Sequence, residues 1–272
     1  MSTATAPATT AQAAPRHAAS RYRLSFARVV RSEWIKLLSL RSTWWSLAIT
    51  VVLSVGISLM MAAALSSFDS AGFAPVMVIV MPMQFTMLVA GILGAIAITG
   101  EYSTGMIRST LTAEPRRGAV LLAKALVVMV VLALATALTY AIAVVATAPI
   151  LTTGIDWGEP TQSFLPLLAG VFAMATFALI GLGFGFIIRN GAGAIAATVG
   201  VLFVLPIVLS MFSFAGESWQ WIVDLTKYLP VSAAQVATTP GGDDVVRGHV
   251  TLAVWPAALL LGAWVSLRSR DA

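Results

Sequence analysis

The chain has 272 residues, of which 59% are hydrophobic and only 10% charged, with a mean hydropathy of +0.93. Soluble domains carry about a quarter charged residues, so this chain has too little polar surface to cover a globule in water and suits a bilayer. The formal charge of +5 does not point to nucleic acid, because the cations cluster beside apolar runs where membrane topology alone accounts for them. Cysteine is absent, which excludes a disulfide framework and a thiolate metal site.

Residues 1–20 are Ala, Thr and Pro with almost no large apolar side chains. They are expected to form a disordered tail, since they bury too little surface to offset chain entropy. The first apolar run begins only near Trp44, too late for the tail to be the basic region of a signal peptide. Residues 21–43 read as an amphipathic helix in the headgroup plane. Phe26, Val29, Val30, Trp34, Leu37, Leu38 and Leu40 share a broad face, and Arg28, Arg31, Ser32, Lys36 and Ser39 lie opposite or at its edges. Ile35 falls on the polar side and Glu33 inside the apolar arc. A carboxylate there needs a partner: either Lys36 one turn on, or a cation or backbone group of the 99–124 loop.

Six apolar runs follow, at about Trp45–Ser66, Ala74–Thr99, Ala125–Ala148, Phe164–Ile188, Ala192–Phe214 and His249–Leu267. Each is close to or above the roughly 20 residues that cross a bilayer as helix, and none contains Asp, Glu, Lys or Arg. The expected fold class is therefore an all-α integral membrane protein, with 44–267 as a six-helix transmembrane domain. Pro82, Pro206 and Pro256 lie inside runs and are expected to kink them. Met77, Met81, Met83 and Met87, with Gln84, make the second run soft, and read as core or lipid contact rather than a ligand face. Gly181 and Gly185 form a GxxxG pair suited to close helix approach, within the bundle or at a subunit interface. The segment 215–248 is expected to hold short amphipathic helices broken at Pro230, with a turn at Pro240–Gly242.

Cations set the orientation. Seven precede the first run, four lie in 99–124, one is Arg189 and two are Arg268 and Arg270, fourteen in all against Lys227 and Arg247 on the other side. This asymmetry places both termini, residues 268–272 and the 99–124 loop in the cytosol. Trp44 and Trp45 at one boundary, and Trp157, Trp219 and Trp221 at the other, fit interfacial belts.

The 99–124 loop is the polar island of the chain. Glu101–Thr112 is long enough for about three helical turns, with Glu101 near the positive helix end and Pro115 biasing Glu114 out of helix. Tyr102, Met106, Ile107 and Leu111 then face the membrane, and Glu101, Thr104, Arg108 and Ser109 the cytosol. Such a helix either anchors the loop or receives force from a partner. No GxxxxGK[ST] motif occurs, and His17 and His249 are the only histidines, so neither a nucleotide loop nor a Ser–His–Asp arrangement can be assembled. Uncharged span interiors argue against an ion-driven pump, so energy for uphill transport has to enter at the cytosolic surface.

RSEWIKLLSLRSTWW at Arg31–Trp45, GEYSTGMIRSTLTAEPRRGAVLLAKAL at Gly100–Leu126 and YLPVSAAQVA at Tyr228–Ala237 together resemble the permease subunits of bacterial ABC exporters of the ABC-2 type. The resemblance implies a bacterial plasma-membrane permease, non-catalytic itself and paired with a second permease subunit as a homo- or heterodimer. It implies cytosolic ABC ATPase subunits that hold ATP and Mg, with no cofactor in this chain. It also implies an interface helix near Arg23–Leu40, carrying Arg28, Arg31, Glu33, Trp34 and Lys36. Glu101–Thr112 becomes the coupling helix, with Glu101, Tyr102, Thr104, Arg108 and Ser109 at the ATPase and Arg116, Arg117 and Lys124 as anchors, the Lys124 stem snorkelling to the interface. Met106 stands where the family often has Thr after the Gly. The alternative reading is a membrane-embedded ligand-binding regulator or immunity protein without transport.

Overall fold

The computed structural model describes residues 25–67 and 73–269. The tail expected over 1–20, Arg21, Arg23, Asp69 and Arg270 lie outside the described residues.

The described residues are helical throughout their regular structure. Helix α1 (Phe26–Ser39) leads into α2 (Arg41–Ser67), and α3 (Val76–Val80) and α4 (Met83–Thr104) make the second span. Helix α5 (Met106–Ala113) precedes α6 (Arg117–Thr147) and α7 (Phe164–Ile188). The fifth span joins α8 (Gly191–Val199) to α9 (Leu205–Met211), and α10 (Gln220–Leu225), α11 (Pro230–Ala237) and α12 (Val245–Ser269) complete the chain. Among the described residues, six helices are long and apolar enough to cross a membrane. The chain is a multi-pass membrane protein.

Two prolines reshape their spans locally. Proline offers no N–H and crowds the carbonyl four residues back. At Pro82 that carbonyl belongs to Val78, and it accepts the Ser58 hydroxyl of α2 at 2.9 Å, which satisfies the break between α3 and α4 inside the apolar region. Before Pro206 the backbone widens into a π turn over Gly200–Val204, where the Leu205 N–H reaches the Gly200 carbonyl.

The core is organised on the α4–α7 pair. A Cβ on Gly94 would lie 1.9 Å from the Ala178 carbonyl oxygen, and one on Gly181 1.9 Å from that of Gly91. On Gly185 it would lie 2.5 Å from Ile98 Cγ2. The small residues thus bring backbone against backbone, and Gly181 and Gly185 serve packing inside the bundle. Met83 and Met87 are buried in the same core, whereas Met81 is exposed.

Helix α6 begins at Arg117, not near Ala125 as hydropathy suggests, and its 31 residues extend about 46 Å, well beyond a 30 Å hydrocarbon layer. Its first two turns therefore stand outside that layer, beside α1 and α5. These elements, the Arg189 turn and the end of α12 gather at one end of the bundle. The α6–α7 connection and the segment from Phe212 to Gly242 lie at the other.

Candidate functional site

The charged end is built around an elbow. Helix α4 continues through Glu101 to Thr104, and Gly105 adopts the left-handed conformation (φ 71°) that ends α4 and starts α5. The expected single helix Glu101–Thr112 is therefore two helices, because glycine alone enters that region without steric cost. Past the elbow, Ile107 is buried, Leu111 half-buried, and Met106, Arg108, Ser109 and Thr112 are exposed. Glu114 leaves the helix in extended conformation before Pro115. Its carboxylate accepts from Arg116 Nε at 2.8 Å, Nη2 at 2.9 Å and the backbone N–H at 3.2 Å. That hydrogen-bonded guanidinium holds the Glu114 carboxyl below its ordinary range.

Beneath the elbow lies a buried cluster of two carboxylates and two ammonium groups. Glu33, Glu101 and Lys124 are 2%, 3% and 4% exposed, low enough that each charge depends on its neighbours rather than on water. Lys124 Nζ donates to Glu33 Oε2, to Glu101 Oε1 at 2.8 Å and to the Ala97 carbonyl at 3.5 Å. Lys36 Nζ donates to Glu33 Oε1 at 2.7 Å, Glu101 Oε1 at 3.3 Å and Thr110 Oγ1 at 3.1 Å. Four elements, α1, α4, α5 and α6, thus meet through groups whose formal charge sums to zero. Burial alone would raise the Glu33 carboxyl, but the Lys124 and Lys36 ammonium groups outweigh it and hold it below its ordinary 4.5. Burial pulls Lys36 down, and Glu33 and Glu101 override it, so Lys36 sits above its ordinary 10.5.

A second set of contacts ties the loop to the last spans. The Arg189 guanidinium lies 5.4 Å from the centre of the Tyr102 ring and donates to the Ser266 carbonyl at 2.9 Å. Arg117 donates to the Leu267 carbonyl. Both cations sit on the last turn of α12, where carbonyls and the helix dipole favour positive charge. Arg189 itself closes α7 in a left-handed conformation (φ 59°). On the other flank, Trp44 Nε1 donates to the Leu38 carbonyl at 2.8 Å, fastening the start of α2 to α1.

The family model for ABC-2 family transporter proteins matches residues 29–216, which includes all but the first three residues of α1, the elbow, the ion cluster and five of the spans. The chain belongs to the ABC-2 transporter family. It is a membrane permease of that family. A comparison with curated proteins found no match.

Against this geometry the sequence-derived residues of the permease sort clearly. Thr104, Arg108 and Ser109 are exposed as expected, and so are Arg28 and Arg31; Trp34 is half-buried. Glu101 is not offered to solvent: it is one end of the buried cluster, because α4 carries it inward one turn before the elbow. Tyr102 is half-buried under Arg189. Lys124 does not snorkel, since its ammonium turns into the protein toward two carboxylates. Arg116 is spent on Glu114 and Arg117 on α12. Glu33 has the partner that its place in the apolar arc required, and both alternatives are realised, Lys36 within its helix and Lys124 from the loop. Thr110, Arg189 and the α12 terminus complete the site without a signal in local sequence, save that an arginine directly after an apolar helix is a common C-terminal cap.

Proposed function

We propose that this chain is the membrane subunit of an ATP-driven exporter, working with a second permease subunit and with separate cytosolic ATPase subunits that bind ATP and Mg. The charged end faces the cytosol in this reading, in keeping with the cation asymmetry. The observation that carries the proposal is the exposed edge of α5, with Arg108, Ser109 and Thr112, standing on a buried ion cluster that joins α1, α4 and α6. A push on α5 is then delivered to α1 and two spans at once. Between their charged ends the spans carry no Asp, Glu, Lys or Arg, so energy enters at this surface and not by ion flow through the bundle.

Closure of the ATPase pair would press α5, and the elbow at Gly105 would pass the displacement to α4. The two six-span subunits would rock against each other and open a path outward. Contact with the ATPase is assigned to Tyr102, Thr104, Arg108 and Ser109, with Glu101 acting from beneath. The experiment is charge reversal, Arg108→Glu, in the reconstituted complex. A loss of ATPase binding or of substrate-stimulated hydrolysis is expected. Unchanged binding and coupling remove Arg108 from the contact, and failure of any ATPase to co-purify with the wild-type chain turns the reading to a regulator without transport.

A further inference from the structure

A cavity of about 510 Å³ opens beside the ion cluster, between the second half of α1 and the facing sides of α4 and α6. That volume lies within the range of small-molecule sites. One wall is apolar, made of Leu37, Ile96, Ala97, Val127 and Val128. Ala97 lies seven residues before the end of α4, about 10 Å along the helix, so this wall reaches from the headgroup level toward the hydrocarbon. The other wall is polar, with the four cluster residues and the hydroxyls of Ser39, Ser103 and Thr104.

The polar wall selects the kind of head group. An ammonium has three donor hydrogens, and Lys36 and Lys124 each make three hydrogen bonds to protein acceptors. The hydroxyls donate to backbone carbonyls too, Ser39 to Lys36 at 2.8 Å, and Ser103 and Thr104 to Gly100 at 3.0 and 2.9 Å. Donors on these side chains are therefore committed. Acceptor capacity remains, in the hydroxyl lone pairs and in Glu101 Oε2, which is buried and has no partner among the described residues. The four charges already balance, so an added ion of either sign would sit uncompensated.

We propose that this cavity binds an uncharged amphiphile with a hydroxyl-bearing head, drawn from the leaflet that adjoins the charged end, its chain lying along Ala97, Val127 and Val128. The head donates to the acceptors of the polar wall, and the lysines stay on their carboxylates.

The chain has no cysteine, so Met106→Cys at the exposed cavity rim, outside the hydroxyl set, takes a single environment-sensitive fluorophore. The labelled permease in nanodiscs is titrated with 1-lauroylglycerol, dodecanesulfonate and dodecyltrimethylammonium at matched mole fractions in the bilayer. A saturable response to 1-lauroylglycerol is expected, with apparent affinity at least about tenfold above that of either ion, the equivalent of one lost hydrogen bond. Ala97→Phe and Val128→Phe fill the apolar wall from α4 and α6, and in whichever variant folds the response is lost. Equal responses to the three probes, or a response that survives in a folded filled variant, overturn the proposal. Binding is read on the permease alone, so its failure leaves the ATPase reading standing, and loss of ATPase coupling leaves this site standing.

Discussion

Replacing Lys124 with methionine removes the ammonium shared by Glu33 and Glu101 and keeps an unbranched apolar stem of similar length. Both carboxylates are almost fully buried, and only Lys36, itself a quarter exposed, remains beside them. Breaking a buried pair by removing one partner costs about 3–5 kcal/mol. At about 2–4 °C per kcal/mol for chains of this size, the melting temperature should fall by roughly 6–20 °C. The eight tryptophans allow the transition to be followed by intrinsic fluorescence during a thermal ramp in nanodiscs. Combining Lys124→Met with Glu101→Gln leaves Glu33 opposite Lys36 and restores zero formal charge. The double variant should recover about 2 kcal/mol relative to the sum of the two single losses. A Lys124→Met protein melting within about 1 °C of wild type, or strict additivity in the double variant, would refute the view that these charges depend on one another.

At the elbow, a Cβ on Gly105 would meet nothing within 4 Å, so Gly105→Val should cost about 1–2 kcal/mol from backbone conformation alone and uncouple α5 from α4; thermal stability and ATPase stimulation report the two effects separately. Gly181→Ala should abolish recovery of monodisperse protein on size exclusion, whereas Gly56→Ala, with open space around its Cβ, should be neutral. The pH profile of stability should have two limbs. Glu33 titrates in the folded protein below its ordinary 4.5, so its contribution is full above that value and is lost as pH falls through the folded pKa. Lys36 titrates above its ordinary 10.5, so its contribution is full below that value and is lost as pH rises through the folded pKa. Glu33→Gln should flatten the acid limb of melting temperature against pH.

Spans were legible because long uncharged apolar runs have one stable solution in a bilayer, and Phe164–Ile188 is bounded in the structure at the residues hydropathy gives. The need of Glu33 for a partner was legible too, since its helical position set a carboxylate among apolar side chains. A cation of the 99–124 segment is one of the two partners the sequence offers; that it is Lys124 is not legible, because the choice depends on how α6 is aligned against α1, ninety-one residues away. Charge misled at both ends of the loop. Lys124 and Arg117 read as loop residues by hydropathy, yet both lie in α6, whose first turns are helical without being apolar. Glu101 reads as solvent-facing only if the segment is one helix; Gly105, a helix-stopping signal in its own right, divides it, and Glu101 belongs to α4, which carries it inward.

The glycine contacts between α4 and α7 run from Gly91 to Ile98 on one helix and from Ala178 to Gly185 on the other, in the elbow-side half of the second span. Backbone lying on backbone has no side chains to yield, so the two helices form a keel that cannot shear by small steps. The break at Pro82 lies past the end of this keel, where the Val78 carbonyl accepts the Ser58 hydroxyl in place of a helical N–H. On the proposed coupling, a displacement entering at Gly105 would pass along this keel and be taken up as bending at Pro82, the joint of the lever.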